Sequence, residues 1–173
     1  LQPPLAQAQV GQPGQRLGAR PRAGALGLVL ARPATLGVEP FFMKLLSGIE
    51  NTLAARSTAL LLQVVPDHDA EVEAYRRWWA ERRVDGIFLI DLRIEDKRVL
   101  VLEELGLPAG VIGGPGHHGR PPGVWSDDAS AMAMVVEYLA ALGHRRVARV
   151  AGPSGLLHTE LRGQAFGEVA ARL

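Results

Sequence analysis

The chain has 173 residues, 47% hydrophobic and 21% charged, with a formal net charge of +1 and no cysteine. That composition suits a soluble globular protein with one good core or two small ones, and it excludes a disulfide framework or a thiolate metal site. Balanced charge gives no overall pull toward nucleic acid or anionic membrane, and no run of 18 apolar residues offers a membrane span.

Residues 1–23, "LQPPLAQAQVGQPGQRLGARPRA", are rich in Pro, Gln, Gly and Ala without an apolar period, and read as a linker or tail. They lack the basic start and apolar core of a signal peptide. "ALGLVLA" (25–31) is a continuous apolar run, as expected of a strand buried on both faces. In "EPFFMKLLSGIE" (39–50) a helix starting near Pro40 directs a stripe through Phe42, Leu45, Leu46, Ile49 and Leu53 toward the core. Phe41 lies about 100° off that stripe. An aromatic ring so placed needs either another wall to pack on or a ligand.

"ALLLQVV" (59–65) reads as a second buried strand. "DAEVEAYRRWWAERR" (69–83) reads as a helix capped by Asp69, with Val72, Tyr75 and Trp79 on one face and Trp78 off it, open to a partner surface. "VDGIFLI" (84–90) is a turn at Asp85 followed by a third strand. "EDKRVLVLEEL" (95–105) is a helix ended by Gly106, and "PAGVIG" (108–113) a fourth strand. A Gly/Pro loop (113–123) precedes a short strand at 124–126. "DDASAMAMVVEYLAALG" (127–143) is a capped helix with Gly143 past its end. "RVARVAG" (146–152) reads as another strand and "TELRGQAFGEVAARL" (159–173) as another helix.

Strands alternating with helices across short connections indicate an α/β fold with a parallel sheet flanked by helices. Such sheets bind ligands beyond the carboxyl ends of their strands, where helix N-termini converge. Phe41, Phe42, Asp67, Asp91, Gly113, Gly114, Asp127, Leu156, His158 and Arg162 fall there by position. The plainer reading of Asp67 and Asp91 is a solvated loop or cap, and that of Phe42 is core. Adjacent His117 and His118 rarely converge on one metal, so no metal or cofactor is expected. No nucleophile elbow, P-loop, zinc-protease helix or dinucleotide fingerprint occurs, and an enzyme is not expected.

The order of these segments resembles a known family. "GALGLVLARP" followed by "EPFFMKLLSGIE", then "RRVDGIFLI", "LGLPAGVI", "VWSDD", "LGHRRVARVAGP" and "RGQAF", is similar to the effector-binding core of the lactose-repressor (LacI/GalR) family of bacterial transcription regulators. The likeness runs from about Gly24 to the end. It implies a periplasmic-binding-protein-like type I fold of two α/β subdomains with a ligand cleft between them. Residues 1–23 would be the linker, 24–126 the N-terminal effector subdomain, and 127–173 the start of an incomplete second subdomain.

The resemblance also implies roles. Phe41 and Phe42 match the aromatic pair lining the effector pocket, Asp127 the acid at the crossover, and Arg162 an arginine that hydrogen-bonds effector. His158 matches a position with polar contacts in some members, and Leu156 one that is often polar. Asp91, at the end of the third strand, is taken as a ligand candidate with them. Departures occur at Glu39 and Asp128, each where the pattern has Asn, at Gly113-Gly114, where it has Asp-Arg, and at Ala165, where it has Gly. The helix-turn-helix reader and most of the second subdomain have no counterpart in the sequence.

The function implied is a cytoplasmic, non-enzymatic ligand-sensing region binding a small effector, with a sugar favoured. Its partners would be operator DNA, through a helix-turn-helix absent from this chain, and a second copy in a homodimer, with no membrane partner. The rival is a sugar-binding component of an uptake transporter with the same fold.

Overall fold

The computed structural model describes residues 22–31, 40–115 and 121–173. Nearly all of the expected linker, Glu39, and the His117-His118 pair lie outside the described residues. In chain order the elements are β1 (Ala25–Leu30), α1 (Pro40–Ala54), β2 (Ala59–Val64), α2 (His68–Ala80), β3 (Gly86–Ile90), α3 (Lys97–Leu105), β4 (Ala109–Ile112), β5 (Gly123–Val124), α4 (Asp128–Ala141) and α5 (Leu157–Arg172). The sheet order is β2-β1-β3-β4-β5. β1 pairs parallel with β2 and β3, and β4 with β5; Leu28 stands opposite both Leu62 and Phe88. The described residues divide into two compact units. The first holds those up to Leu89 together with Lys97–Gly110, and the second holds Ile90–Asp96 and Val111–Leu173.

In the first unit β1 is central, and Leu28 and Val29 are fully buried. The chain steps from β1 to β2 in one direction and from β2 to β3 in the other. Right-handed crossovers then put α1 on one face of the sheet and α2 and α3 on the opposite one. α2 packs on β1 and α3, and α1 on β2. The expectation that β2 is buried on both faces is corrected. It is the edge strand, and Leu62 and Val64 are each 41% exposed. An apolar run cannot by itself tell a central strand from an edge strand.

α1 keeps the expected phase throughout, but its stripe is fully buried only toward its two ends. Phe42 and Leu53 are buried, whereas Leu45, Leu46 and Ile49 are half-buried. The helix lies against the edge strand, which covers a narrower stripe than a central strand would.

α2 departs from expectation twice. Its cap is Asp67, whose carboxylate accepts the Ala70 N–H at 2.8 Å, and Asp69 stands in the first turn. Its buried face is Glu71, Ala74, Tyr75 and Trp78, spaced i, i+3, i+4 and i+7, while Val72 and Trp79 are half-buried. Trp78 is therefore core and not a partner surface. Passing over Glu71 because it is charged shifts the apparent phase by about 100°. Glu71 is tolerated inside because Arg98 of α3 donates to its Oε1 at 2.8 Å, the Tyr75 hydroxyl donates to the same oxygen, and Nδ1 of His68 lies 3.0 Å from its Oε2.

Trp78 reaches the sheet over Gly27. A Cβ on Gly27 would stand 2.5 Å from Cζ3 of Trp78 and 2.9 Å from Cδ1 of Ile87. A glycine inside a strand here marks a close approach. Gly27→Ala should cost about 1–3 kcal/mol by overpacking, more than the few tenths to about 1 kcal/mol that losing a glycine's chain entropy returns. Urea titration followed by tryptophan fluorescence measures this; a variant as stable as the parent would show that the indole yields.

Asp85 does more than turn the chain. Its carboxylate accepts the N–H groups of Ala23 and Gly24, each at 2.8 Å, and its own N–H donates to the Ala25 carbonyl at 2.8 Å. The start of β1 is thereby clamped to the start of β3.

In the second unit the Gly113 N–H donates to the Val124 carbonyl at 2.8 Å, extending the β4–β5 ladder. α4 begins at Asp127 and stops before Gly143, whose φ of 90° only glycine adopts without strain. α4 and α5 pack together, and their buried residues are Val136 on α4 and Thr159, Ala165 and Val169 on α5. The strand expected at 146–152 does not form: the segment has no regular secondary structure, and Val150 is fully exposed. A strand exists only by pairing its N–H and C=O groups with a neighbour, and no described strand lies beside this one. Among the described residues no helix is long and apolar enough to cross a membrane.

Candidate functional site

Asp91, Asp127, His158 and Arg162 lie in the second unit: Asp91 follows β3 and Asp127 follows β5, while His158 and Arg162 stand on α5, with no described strand between it and α4. β3 ends at Asp91, whose φ is +52°, a left-handed conformation that Asp tolerates better than most residues. The chain then turns tightly, with Glu95 also at +52°, and the Asp96 carboxylate accepts the Arg93 N–H at 2.9 Å. This turn is sewn to the start of α5. Ile94 N–H donates to the Gly155 carbonyl at 3.2 Å, Leu157 N–H donates to the Leu92 carbonyl at 2.8 Å, and Arg93 forms an antiparallel bridge with Leu156. The segment that follows Asp91 is therefore held against the start of the helix that carries His158 and Arg162.

Leu156 sits at the N-cap position of α5 but makes no side-chain cap bond, and it is buried. Where a polar residue would satisfy an N–H group, leucine fills space beneath the 91–96 turn. His158 is half-buried in the first turn of α5.

Gly113 and Gly114 have φ of 115° and 75°, and a Cβ on Gly114 would stand 2.5 Å from Cδ2 of Leu157. The backbone at both positions favours glycine, and a side chain at Gly114 would also have to displace the end of Leu157.

Asp127 caps α4 by accepting the Ser130 N–H at 2.9 Å. The bond from the Ser130 backbone, then one from its hydroxyl, lowers the Asp127 pKa below its ordinary value. A depressed folded-state pKa means that this stabilisation is complete above the ordinary carboxylate range, about 3.9 for Asp, and is lost as pH falls through the lowered value. The stability deficit of Asp127→Ala should therefore be constant from neutrality to about pH 5 and shrink toward pH 3. Denaturation midpoints of both proteins measured across that range check it; a deficit independent of pH would show that the ionised cap is not what matters.

Arg162 projects from α5 to α4, where Nη2 donates to Oδ1 of Asp128 at 2.8 Å. The guanidinium is 44% exposed and the carboxylate 17%. Asp127, Asp128 and Arg162 are thus gathered at one end of the α4–α5 pair. The sequence marked Asp128 only as a departure. Its partner lies 34 residues away, and no local pattern connects them.

Phe41 and Phe42 belong to the first unit. Their rings meet edge to face, with centroids 5.4 Å apart and planes at 77°. Phe42 is buried, and Phe41 is 61% exposed with its neighbour propping it. Among the described residues no group of three or more His, Cys, Asp or Glu is placed to hold a metal ion.

The fold agrees with what known proteins show. A family model for periplasmic binding proteins and the sugar binding domain of the LacI family matches residues 23–172. The chain belongs to this family. An uncharacterised HTH-type transcriptional regulator from Streptomyces limosus is 31% identical over 160 residues, 89% of this chain and 44% of that protein. The HTH-type transcriptional regulator AglR of Rhizobium meliloti is 31% identical over 146 residues, 82% of this chain and 40% of its own length. The chain therefore spans less than half the length of these curated relatives. Among solved structures, a LacI family regulator from Bifidobacterium animalis matches at 32% identity with a TM-score of 0.76, over 87% of this chain and 54% of that one. The transcriptional regulator CelR in complex with cellobiose matches at 25% identity and a TM-score of 0.76, over 87% and 47%. These relatives are named as transcriptional regulators.

Proposed function

We propose that this chain is the effector-sensing region of a cytoplasmic bacterial transcription regulator, and that its effector is a neutral saccharide. The observation that carries the reading is the family match over residues 23–172, joined to a similar fold that holds cellobiose in CelR. In this reading Phe41 offers an exposed apolar ring, and Arg162 supplies fixed N–H donors beside the Asp127 carboxylate, an acceptor. His158, in the first turn of α5, and Asp91, just after β3, are the further polar candidates of this reading. An exposed aromatic ring suits the apolar face of a polyhydroxylated ring, and N–H donors and a carboxylate suit its hydroxyls. Residues 24–126 would then form the N-terminal effector subdomain and those from 127 the second.

No chemistry on a substrate is required. Saccharide binding shifts the population between two states of a homodimer, and the states differ in affinity for operator DNA. The named relatives reported above are regulators, which favours this reading over an uptake-transport component.

The test uses the intact regulator and a DNA fragment from upstream of its own gene. Cellobiose or another neutral saccharide should change the DNA affinity severalfold in an anisotropy titration at fixed salt. Saturable saccharide binding with no change in affinity for any DNA would instead support the transport reading.

A further inference from the structure

The Asp128–Arg162 pair, resting on the saccharide reading above, determines more than the position of one side chain. The guanidinium of Arg162 is bound to the Asp128 carboxylate at 2.8 Å, across the α4–α5 contact. We infer that Asp128 is a charge-selecting residue: it orients Arg162 as a hydrogen-bond donor while cancelling its charge, so that the site takes a neutral saccharide and refuses its anionic counterpart.

The argument starts from donor geometry. Arg carries five N–H donors in a planar fork, and one Nη2–H is taken by Oδ1 of Asp128. The guanidinium is fixed, and its remaining N–H groups stay available to hydroxyl oxygens. With Asn at 128 the same side-chain shape offers a carbonyl oxygen to Arg162 but no charge. The arginine would then be a net cation on the surface, ready to hold a carboxylate or phosphate with two parallel bonds.

The surroundings strengthen the sign. Asp127 precedes Asp128 in the chain and accepts the Ser130 N–H, so a second carboxylate stands at the N-terminus of α4. Asp128 is four-fifths covered, so solvent screens its charge on Arg162 less than it would screen an exposed pair. A bound anion there meets a guanidinium whose charge Asp128 already offsets. A neutral polyol meets alternating acceptors and donors.

The experiment measures selectivity, because a merely structural role for Asp128 would weaken every ligand alike. Dissociation constants of the intact protein and Asp128→Asn are measured by calorimetry for cellobiose and maltose and for their 6′-phosphates. The parent should bind a neutral disaccharide at least about tenfold tighter than its phosphate, a tenfold ratio being about 1.4 kcal/mol. Asp128→Asn should cut that preference about tenfold or reverse it. An unchanged ratio in a variant that still binds the neutral sugar would overturn the role of Asp128 and leave the saccharide reading standing. A parent that prefers the phosphate would also overturn it. A parent that binds neither form would overturn both.

Discussion

Glu71→Ala should destabilise the protein by about 3–5 kcal/mol, the cost of breaking a buried ion pair by removing one partner. Glu71 is 1% exposed, and its carboxylate is shared by Arg98, the Tyr75 hydroxyl and His68. Removing it deprives a buried guanidinium and a buried phenol of a common acceptor at the contact between α2 and α3. The pair itself is weak evidence of net stabilisation, because desolvating both charges offsets most of their attraction. Hence Glu71→Leu with Arg98→Met should recover most of the loss. Denaturant midpoints of the two single variants and the double variant give the coupling directly. Single variants within about 1 kcal/mol of the parent would mean that water reaches the cluster.

The paired phenylalanines should separate stability from binding. Phe42 is buried, so Phe42→Ala should cost about 3–5 kcal/mol in transfer and cavity terms. Phe41 is mostly exposed, so Phe41→Ala should leave the melting temperature of the ligand-free protein within a degree or two. If its ring is the ligand platform, the same change weakens saccharide binding about tenfold or more. Melting curves with and without saccharide resolve the two effects. The reverse pattern, in which Phe41→Ala unfolds the protein and Phe42→Ala leaves stability unchanged, would contradict this assignment of faces.

What could be read in the sequence was local. The alternation of strands and helices, the cap at Asp127 and the stop at Gly143 are signals carried by a few neighbouring residues, and the structure follows them. Errors arose where distant parts of the chain decide. Trp78 looks exposed until Gly27 is known to lie beneath it, and Glu71 looks solvated until Arg98, 27 residues on, reaches it. β2 reads as central because its apolar run says nothing of how many neighbours it has. "RVARVAG" has strand composition but no described partner strand, and composition alone makes no ladder. At the site, positions after strands could be named, but the bond from Arg162 to Asp128 is a matter of tertiary geometry.

The central claim is a saccharide-sensing region, and the most direct measurement is a calorimetric titration of the intact protein. One series uses neutral mono- and disaccharides, including cellobiose, and a second uses the purine bases hypoxanthine and guanine, whose flat rings would also stack on Phe41. The account predicts saturable binding of at least one neutral saccharide with one site per chain, weakened by Phe41→Ala, and no binding of either purine. Purine binding with no response to any saccharide would contradict it.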